Sequence, residues 1–269
     1  MTDSEDKIAA GKPLLRDDEP APFEVIEAAS ALPLVIVCDH ASRRIPRALG
    51  ALGLATALLE EHIAWDIGAA AVARRLAARF GVSAVLAGYS RLVVDLNRAP
   101  EDATSMPAIS DGCLIPGNLG LTPAARQERR RALFDPYHAA VDAAIAARAT
   151  SAIAPVCLGV HSFTPRFHGT RRPWQVGVLW DADPRLAIPL LEALRAAGLV
   201  VGDNEPYSGR HPADYTIDSH AEARGLAHAG IEIRQDLIAD RAGQERYARL
   251  IGDALEPILR ASALYIRRG

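Results

Sequence analysis

The chain has 269 residues, of which 49% are hydrophobic and 23% are charged, and its formal net charge is −3. This composition excludes a disordered or fibrous chain, and the near-neutral charge argues against nucleic acid or an anionic membrane as a partner. No apolar run approaches the roughly 18–20 residues that cross a bilayer. The amino terminus is acidic, unlike a secretory signal, and the three cysteines are widely spaced, unlike a disulfide framework. We therefore predict a cytoplasmic protein.

Short apolar runs rich in β-branched residues predict strands, and longer runs with helical periodicity predict helices. In chain order, the predicted elements are a strand at 33–38, a helix at 56–80 with an interruption near 66–68, strands at 82–86 and 90–95, a helix at 122–148, strands at 155–160 and 176–180, a helix at 184–197, a strand at 231–234 and a helix at 241–261.

The order of these elements predicts the fold class. Strands that alternate with helices are typical of an α/β three-layer sandwich around a mostly parallel, mixed sheet. Residues 1–31 are predicted to be a leader that packs late or weakly, and residues 32–269 to form a single domain. Residues 99–121 lack periodicity, and a loop that long inside a compact domain is usually functional.

Polar side chains follow several of the predicted strands. In open α/β sheets, ligands bind outside the carboxyl ends of the strands, so these side chains are expected to meet at one edge. The residues in question are Asp39 and His40 after the first strand, Asp95, Asn97 and Arg98 after the strand at 90–95, His161 and Ser162 after the strand at 155–160, and Glu232 within the last strand.

Two of these histidines and a carboxylate match a catalytic zinc site, which has three protein ligands and an open position for water. The predicted ligands are His40, Asp66 and His161, although each alone would be more typical of a turn or a core. Asp66 could instead cap a helix, and His62, on the same face of a continuous helix, is the alternative third ligand. Asp39 could orient a ligand from behind or could be a turn aspartate.

Glu232 lies between two isoleucines, so strand alternation places it on the opposite face from them. A lone carboxylate on an apolar strand is costly unless it is paired or functional. As a general base it would take a proton from the attacking water and pass it to the leaving amine. The alternative is a buried ion pair with an arginine such as Arg234 or Arg98.

The substrate-binding candidates are Asn97, Arg98, Ser162 and Arg171. A guanidinium can hold a substrate carboxylate through two parallel hydrogen bonds, so Arg98 is the predicted clamp, with Asn97 beside it. The alternative for this pair is a surface turn with a salt-bridged arginine. Arg171 could add positive potential to the pocket or could belong to a solvated loop.

Other catalytic classes fit the sequence less well. Residues 88–92 resemble a serine nucleophile elbow but lack its second glycine, and no Walker loop, GxGxxG or HExxH motif is present. Cys38 would point the same way as His40, but a buried apolar run makes a thiol inert.

The motifs together resemble the N-formylglutamate amidohydrolase family from about residue 30 to residue 260. They are Asp39-His40-Ala41-Ser42 with Ile45-Pro46, the run from Tyr89 to Arg98, His161-Ser162-Phe163, and the run from Glu232 to Leu237.

This resemblance, with a similarity to aspartoacylases and zinc carboxypeptidases, implies a zinc-exopeptidase or phosphorylase/hydrolase type of fold. It also implies one zinc ion held by His40, Asp66 and His161, with Glu232 as the general acid/base and Asn97-Arg98 as the carboxylate clamp. Deformylases of the family more often carry Pro-His-Ser-Gly around the first histidine, and residues 203–209 are typical of a separate branch.

The sequence therefore predicts a zinc-dependent hydrolase of a linear amide in an N-acyl amino acid. The lead candidate is N-formyl-L-glutamate, and the expected partner is a small molecule with a carboxylate. Two alternatives remain, namely an amidohydrolase or peptidase acting on another N-acyl amino acid or short peptide, and a non-catalytic homologue that binds a metal or carboxylate.

Overall fold

The computed structural model describes residues 13–210 and 214–268. The strands within these residues are β1 (Phe23–Ile26), β2 (Leu34–Cys38), β3 (Ser83–Ala87), β4 (Ile109–Ser110), β5 (Cys113–Leu114), β6 (Val156–Phe163), β7 (Arg166–Phe167), β8 (Thr170–Arg171), β9 (Val176–Leu179), β10 (Val201–Asp203) and β11 (His228–Arg234). The α-helices are α1 (Ala69–Phe80), α2 (Pro123–Arg129), α3 (Asp135–Ala146), α4 (Pro184–Ala196), α5 (Tyr215–His220) and α6 (Arg241–Ile258).

In the described part of the chain, seven strands form the central sheet in the order β1-β3-β2-β6-β11-β9-β10. The inner strands β3, β2, β6 and β11 are parallel, whereas β1 is antiparallel to β3 and β9 is antiparallel to β11. The predicted mixed and mostly parallel sheet is therefore confirmed. The pairs β4–β5 and β7–β8 are small separate hairpins.

Helices cover both faces of this sheet, which confirms the three-layer α/β architecture. Along β2, Leu34 and Ile36 belong to the core cluster that includes residues of α1, α4 and α6. Val35 and Val37 belong to the cluster that includes residues of α3. Strands buried on both faces have continuous apolar runs, which is why the sequence revealed them clearly.

Two predicted elements differ from the structure. Helix α1 begins only at Ala69, because Gly68 has a φ of +82° and a Cβ there would collide with the carbonyl of Ile238. His62 and Asp66 are therefore not on one continuous helix. The predicted strand at 90–95 is wrong: the hydroxyl of Ser90 accepts the N–H of Leu92, and this local bond turns the chain.

The helix predicted at 122–148 is present but contains a π-helical turn at Arg130–Phe134. Thr122 caps α2 by accepting the N–H of Ala125, as the Thr-Pro pair predicted. Pro136 lacks the N–H that would bond the carbonyl of Ala132, and this accounts for the change in hydrogen bonding.

Ordered structure begins before residue 32. Residues 23–26 of the predicted leader form β1, which pairs with β3, and the side chain of Leu14 is fully buried. Residues 1–12 of that leader lie outside the described residues, and the boundary of the predicted domain stays a prediction. None of the helices in the described residues combines the length and the apolar character that a membrane crossing requires.

Candidate active site

The sheet delivers the predicted reactive residues to one edge. His40 follows the carboxyl end of β2, and His161 lies in the carboxyl half of the neighbouring strand β6. Glu232 lies beside His161 in the parallel pair of β6 and β11. Asp66 comes from the segment before α1, where its N–H donates to the carbonyl of His40 at 3.0 Å.

His40, Asp66 and His161 form a buried cluster whose ligand atoms all lie within 4.8 Å of one another. Oδ2 of Asp66 lies 3.4 Å from Nδ1 of His40 and 2.9 Å from Nδ1 of His161. Two imidazole nitrogens and one carboxylate oxygen form the donor set of a catalytic zinc site that keeps a position open. These residues therefore fit one divalent ion of this class.

The other nitrogen of each imidazole faces a second buried carboxylate. Nε2 of His40 lies 2.7 Å from Oδ1 of Asp95, and Nε2 of His161 lies 3.2 Å from Oδ2 of Asp39. The hydrogen bond between Asp95 and Nε2 of His40 favours the tautomer that leaves the Nδ1 lone pair of His40 free for a metal, and it fixes the ring. The contact between Asp39 and His161 is an ion-pair distance without hydrogen-bond geometry.

Each outer carboxylate is itself held in place. Asp95 accepts hydrogen bonds from Nε and Nη2 of Arg91 at 3.2 and 3.0 Å. Asp39 accepts the hydroxyls of Tyr137 and Thr216 at 2.7 and 2.8 Å. The role of Asp39 in orienting a ligand from behind stays a prediction. Asp95 holds His40 through the hydrogen bond to Nε2.

The charges in the cluster balance each other. Burial alone would lower the pKa of His161, but Asp39 and Asp66 raise it well above its usual value. Burial would raise the pKa of Asp66, but the charges of His40 and His161 hold it well below its usual value. The pKa of Asp95 is also lowered against burial, chiefly by Arg91 and His40. The carboxylates are therefore ionised, as metal binding requires.

His62 stands beside this cluster rather than in it. Its Nδ1 lies 3.8 Å from Oδ1 of Asp66, and burial lowers the pKa of His62 to about 4. Asp66 lies between the two imidazoles, so the geometry favours Asp66 over His62 as the third ligand.

Glu232 is buried, and its Oε2 has no hydrogen-bond partner among the described residues. Arg234 pairs with Asp236 at 2.8 Å, so the ion pair with Arg234 that the sequence left open does not form. Burial raises the pKa of Glu232 to about 8, close to neutrality. A carboxyl group in this state can both accept and release a proton near neutral pH.

Residues 32–239 match the sequence profile of the family described as N-formylglutamate amidohydrolase. The chain belongs to the N-formylglutamate amidohydrolase family. The matched residues include the three predicted metal ligands and Glu232. Membership confirms the predicted family and assigns the chain to a family of amidohydrolases, hence of enzymes.

Two solved structures resemble this member of the family. A gene product of Agrobacterium tumefaciens is 40% identical, with 91% of this chain and 99% of that chain covered and a TM-score of 0.86. The N-formylglutamate amidohydrolase of Ralstonia eutropha is 22% identical, with 90% and 98% covered and a TM-score of 0.65, which supports the fold. No curated protein matches the chain significantly in sequence.

A cavity of about 640 Å³ adjoins the cluster. Its lining includes residues that contact the His40–Asp66–His161 cluster and residues of the hairpins β4–β5 and β7–β8. Its lining residues include His62, Arg91, Asp95, Arg98, Asp102, Thr104, Ile109, Asp111, Thr164, Phe167, His168 and Tyr207.

The predicted substrate-binding residues occupy different places. Arg98 lines the cavity. The side-chain oxygen of Asn97 accepts the N–H of Thr216 at 2.9 Å, so it secures the start of α5. Ser162 donates its hydroxyl to the backbone carbonyl of Ile67 and its N–H to the carboxylate of Asp66. Arg171 is exposed on β8 and is not among the cavity-lining residues.

Sequence reasoning missed several residues of the site. Arg91 had a detectable signal, because it precedes Asp95 by four residues. Tyr137 and Thr216 had none, since they are 98 and 177 positions away from Asp39, to which they donate. Cys38 is buried, and burial raises the pKa of its thiol, which argues further against a cysteine nucleophile.

Proposed function

We propose that the protein is a zinc-dependent amidohydrolase that cleaves an N-acyl amino acid, with N-formyl-L-glutamate as the lead substrate. The observation that carries this proposal is the unpaired buried carboxylate of Glu232 beside a buried cluster of two histidines and an aspartate. A structural cluster has no need of a carboxyl group without a partner, whereas hydrolysis of an amide requires one. Family membership supports the same reaction.

His40, Asp66 and His161 would hold the ion through Nδ1, one carboxylate oxygen and Nδ1. A bound zinc ion supplies Lewis-acid polarisation of the acyl carbonyl and lowers the pKa of a bound water toward about 7. Asp95 fixes the His40 ring through a hydrogen bond, and Asp39 places a negative charge 3.2 Å from the His161 ring, so little reorganisation is needed when substrate arrives.

Glu232 would act first as the general base and then as the general acid of the reaction. Its carboxylate accepts one proton from the attacking water as the new carbon–oxygen bond forms. The same group then delivers that proton to the nitrogen of the leaving amino acid as the amide bond breaks. Its raised pKa suits both steps, because proton transfer is most effective when the pKa of the group lies near the working pH.

Arg98 is the proposed clamp for a carboxylate of the amino acid. It lines the cavity next to Asp95, whose pKa it helps to lower. Binding energy gained at this distance from the amide bond would fix the substrate's orientation. The role of Asn97 is then to hold the adjacent backbone, because its own amide oxygen is occupied by Thr216.

The cavity favours a second candidate substrate class. Its volume of about 640 Å³ lies within the range of sites that hold drug-sized ligands, and it leaves room for a larger acyl group or a short peptide. A cytoplasmic location and the lack of a nucleic-acid partner remain predictions from composition, whereas membership of an amidohydrolase family supports a small-molecule substrate.

The experiment is a hydrolysis panel with purified protein. N-formyl-L-glutamate, N-formyl-L-aspartate, N-acetyl-L-glutamate, the uncharged analogue N-formyl-L-norvaline and γ-glutamyl dipeptides are each assayed for free amino acid, with zinc and with chelator. We expect release of glutamate that depends on zinc, and weaker use of the norvaline derivative.

Two results would contradict the proposal. Zinc binding without turnover of any member of the panel would indicate the non-catalytic homologue. Equal turnover with and without chelator, after metal analysis shows a metal-free protein, would remove zinc from the mechanism. The Arg98→Lys variant should raise KM without loss of zinc, and unchanged kinetics would reassign Arg98 to structure.

A further inference from the structure

The segment after β10 brings a tyrosine to the cavity wall. Oδ1 of Asn204 accepts the backbone N–H groups of Trp180 and Gly209 at 3.1 and 2.9 Å, which closes the segment into a compact loop. A Cβ at Gly177 would collide with the carbonyl of Glu205, so glycine is required where the loop lies against the sheet. The loop is therefore fixed by the fold.

Arg172 holds the tyrosine of this loop in place. The Arg172 side chain is buried, and its Nη1 donates to the phenol oxygen of Tyr207 at 3.2 Å and to the hydroxyl of Thr164 at 2.9 Å. The guanidinium also lies 4.9 Å from the ring centre of Tyr207 and 4.7 Å from that of Phe167. Stacking and hydrogen bonding together restrict the phenol to one orientation.

The hydrogen bond from Arg172 leaves the phenol of Tyr207 able to donate a hydrogen bond. The phenol oxygen is already an acceptor, and its own hydrogen has no acceptor among the described residues. Tyr207 lines the cavity together with Arg91, which contacts the metal-ligand carboxylate of Asp66 at 3.4 Å. A donor without a partner therefore faces the space that substrate would occupy.

The phenol of Tyr207 keeps its proton at neutral pH. Burial raises the pKa of Tyr207 above its usual value. The group therefore stays protonated and remains a hydrogen-bond donor at neutral pH. The same cavity is lined by Asp95, which lies 2.7 Å from His40, so the donor and the cluster that would hold the ion share one cavity.

We propose that Tyr207 is a catalytic residue that donates a hydrogen bond to the acyl oxygen as negative charge develops on it, and that Arg172 is its positioning residue. This role rests on the proposed amide hydrolysis. No proton is transferred from the phenol; the hydrogen bond strengthens as the oxygen gains charge. A donor fixed in advance costs no reorganisation during the reaction.

The first test is Tyr207→Phe, assayed with the best substrate of the panel. Loss of one such donor typically lowers kcat by about 100-fold to 1,000-fold, and we expect an effect of this size with KM changed by less than about 3-fold. Tyr265→Phe is the matched control, because its phenol donates to the backbone of Leu259, at a site not among the cavity-lining residues. Zinc content and melting temperature are measured for both variants.

The second test is a double-mutant cycle with Arg172. Arg172→Met should lower kcat by about 10-fold, and Arg172→Lys should recover part of the loss. In the Tyr207→Phe background, Arg172→Met should have little further effect on kcat, since residues that act through one contact are not additive. Additive effects would show that Arg172 acts on structure independently of Tyr207 and would overturn its positioning role.

A tetrahedral analogue shows whether the phenol of Tyr207 donates to the reacting oxygen or to a carboxylate of the substrate. The probe is a phosphonamidate of glutamate, in which a tetrahedral phosphorus group replaces the formyl group; free glutamate is the reference ligand. Tyr207→Phe should weaken binding of the probe by about 10-fold or more and binding of glutamate by less than about 3-fold.

The outcomes are distinct. Unchanged kcat and probe binding in Tyr207→Phe, with an active wild-type enzyme, overturn this role alone. A raised KM with equal loss of glutamate affinity shows that Tyr207 binds a ground-state carboxylate and also overturns it. An inactive wild-type enzyme on the whole panel overturns the proposed function, and this role with it.

Discussion

Glu232 on β11 and His161 on β6 occupy facing positions in a parallel pair of strands, so their side chains emerge on the same face at the same level of the sheet. This register places a carboxyl group that lacks a partner next to a proposed metal ligand. The placement is set by the sheet itself, which is more rigid than a loop. The first prediction tests it.

Glu232→Gln should lower kcat by about 100-fold to 10,000-fold, the range for loss of a general acid/base. The amide keeps the size of the side chain but cannot accept the proton of water, so zinc content should not change. Steady-state kinetics and metal analysis check both statements. Glu192→Gln on the exposed face of α4 is the control. A Glu232→Gln enzyme with normal turnover would remove this residue from the mechanism.

Asp66→Asn should weaken zinc binding by more than about 100-fold. Loss of a residue that only supports a metal ligand lowers metal affinity by about 10-fold to 100-fold, and loss of a ligand itself should lower it further. His62→Asn should change zinc affinity by less than about 3-fold, because Asp66 and not His62 lies between the two imidazoles. Competition titration with a zinc-sensitive dye measures both constants. The reverse ranking would make His62 the third ligand.

Asp95→Asn should weaken zinc binding by about 10-fold to 100-fold. The carboxylate of Asp95 accepts a 2.7 Å hydrogen bond from His40, and an amide in its place would support the ring less strongly. Asp102→Asn is the control, because Asp102 lines the same cavity but bonds only to Thr104 and its own segment. Equal zinc affinities in the two variants would show that the Asp95 contact is dispensable.

The contribution of His138 to the free energy of unfolding should fall as the pH falls from about 6.5 toward 4. Burial lowers the pKa of His138 from 6.5 to about 4, so the unfolded chain binds a proton that the folded chain rejects in this window. This contribution is fully present above about pH 6.5, and linkage gives a loss of about 2 kcal/mol of it at pH 5.

Urea unfolding at pH 7.5 and pH 5 measures this loss. Between these two pH values, His138→Gln should lose about 2 kcal/mol less of its free energy of unfolding than the wild type does, whereas His168→Asn in the exposed turn between β7 and β8 should follow the wild type. An identical pH dependence in His138→Gln and the wild type would contradict the role of His138.

Arg129→Met should destabilise the fold by about 3 kcal/mol. Its buried guanidinium donates to the carbonyls of Val93 and Gly117 and to the side chain of Asn118, all of which would lose a partner. These bonds hold the loop that presents Asp95. Arg131→Met on the same helical segment is exposed and should cost less than about 0.5 kcal/mol in the same urea measurement.

The strands that the sequence predicted correctly are those buried on both faces. Leu34–Cys38 and Val156–Phe163 are apolar runs broken only by glycine and the reactive residues, and only the second half of the more polar strand His228–Arg234 was predicted, from Ile231 onward. The segment at 90–95 has a similar composition but forms a turn, because Ser90 bonds locally to the backbone. Periodicity does not detect such a bond, and the same limit hid the edge strand at 23–26, whose side chains are partly exposed.

The sequence by itself determined the α/β class, the family, and the three separate positions of His40, His161 and Glu232 at the ends of strands. It could do so because strand ends and family motifs are local features of the chain. Only the tertiary structure decided that Asp66 lies between the imidazoles, that Asp39 is held by Tyr137, and that Arg172 orients Tyr207.

These contacts join residues between 26 and 98 positions apart, and they form only after the sheet and its loops have closed around the cavity. Their geometry depends on packing, on glycines that admit a close approach, and on the balance between burial and charge. No short stretch of sequence contains that information, which is why the substrate-facing part of the site required the structure.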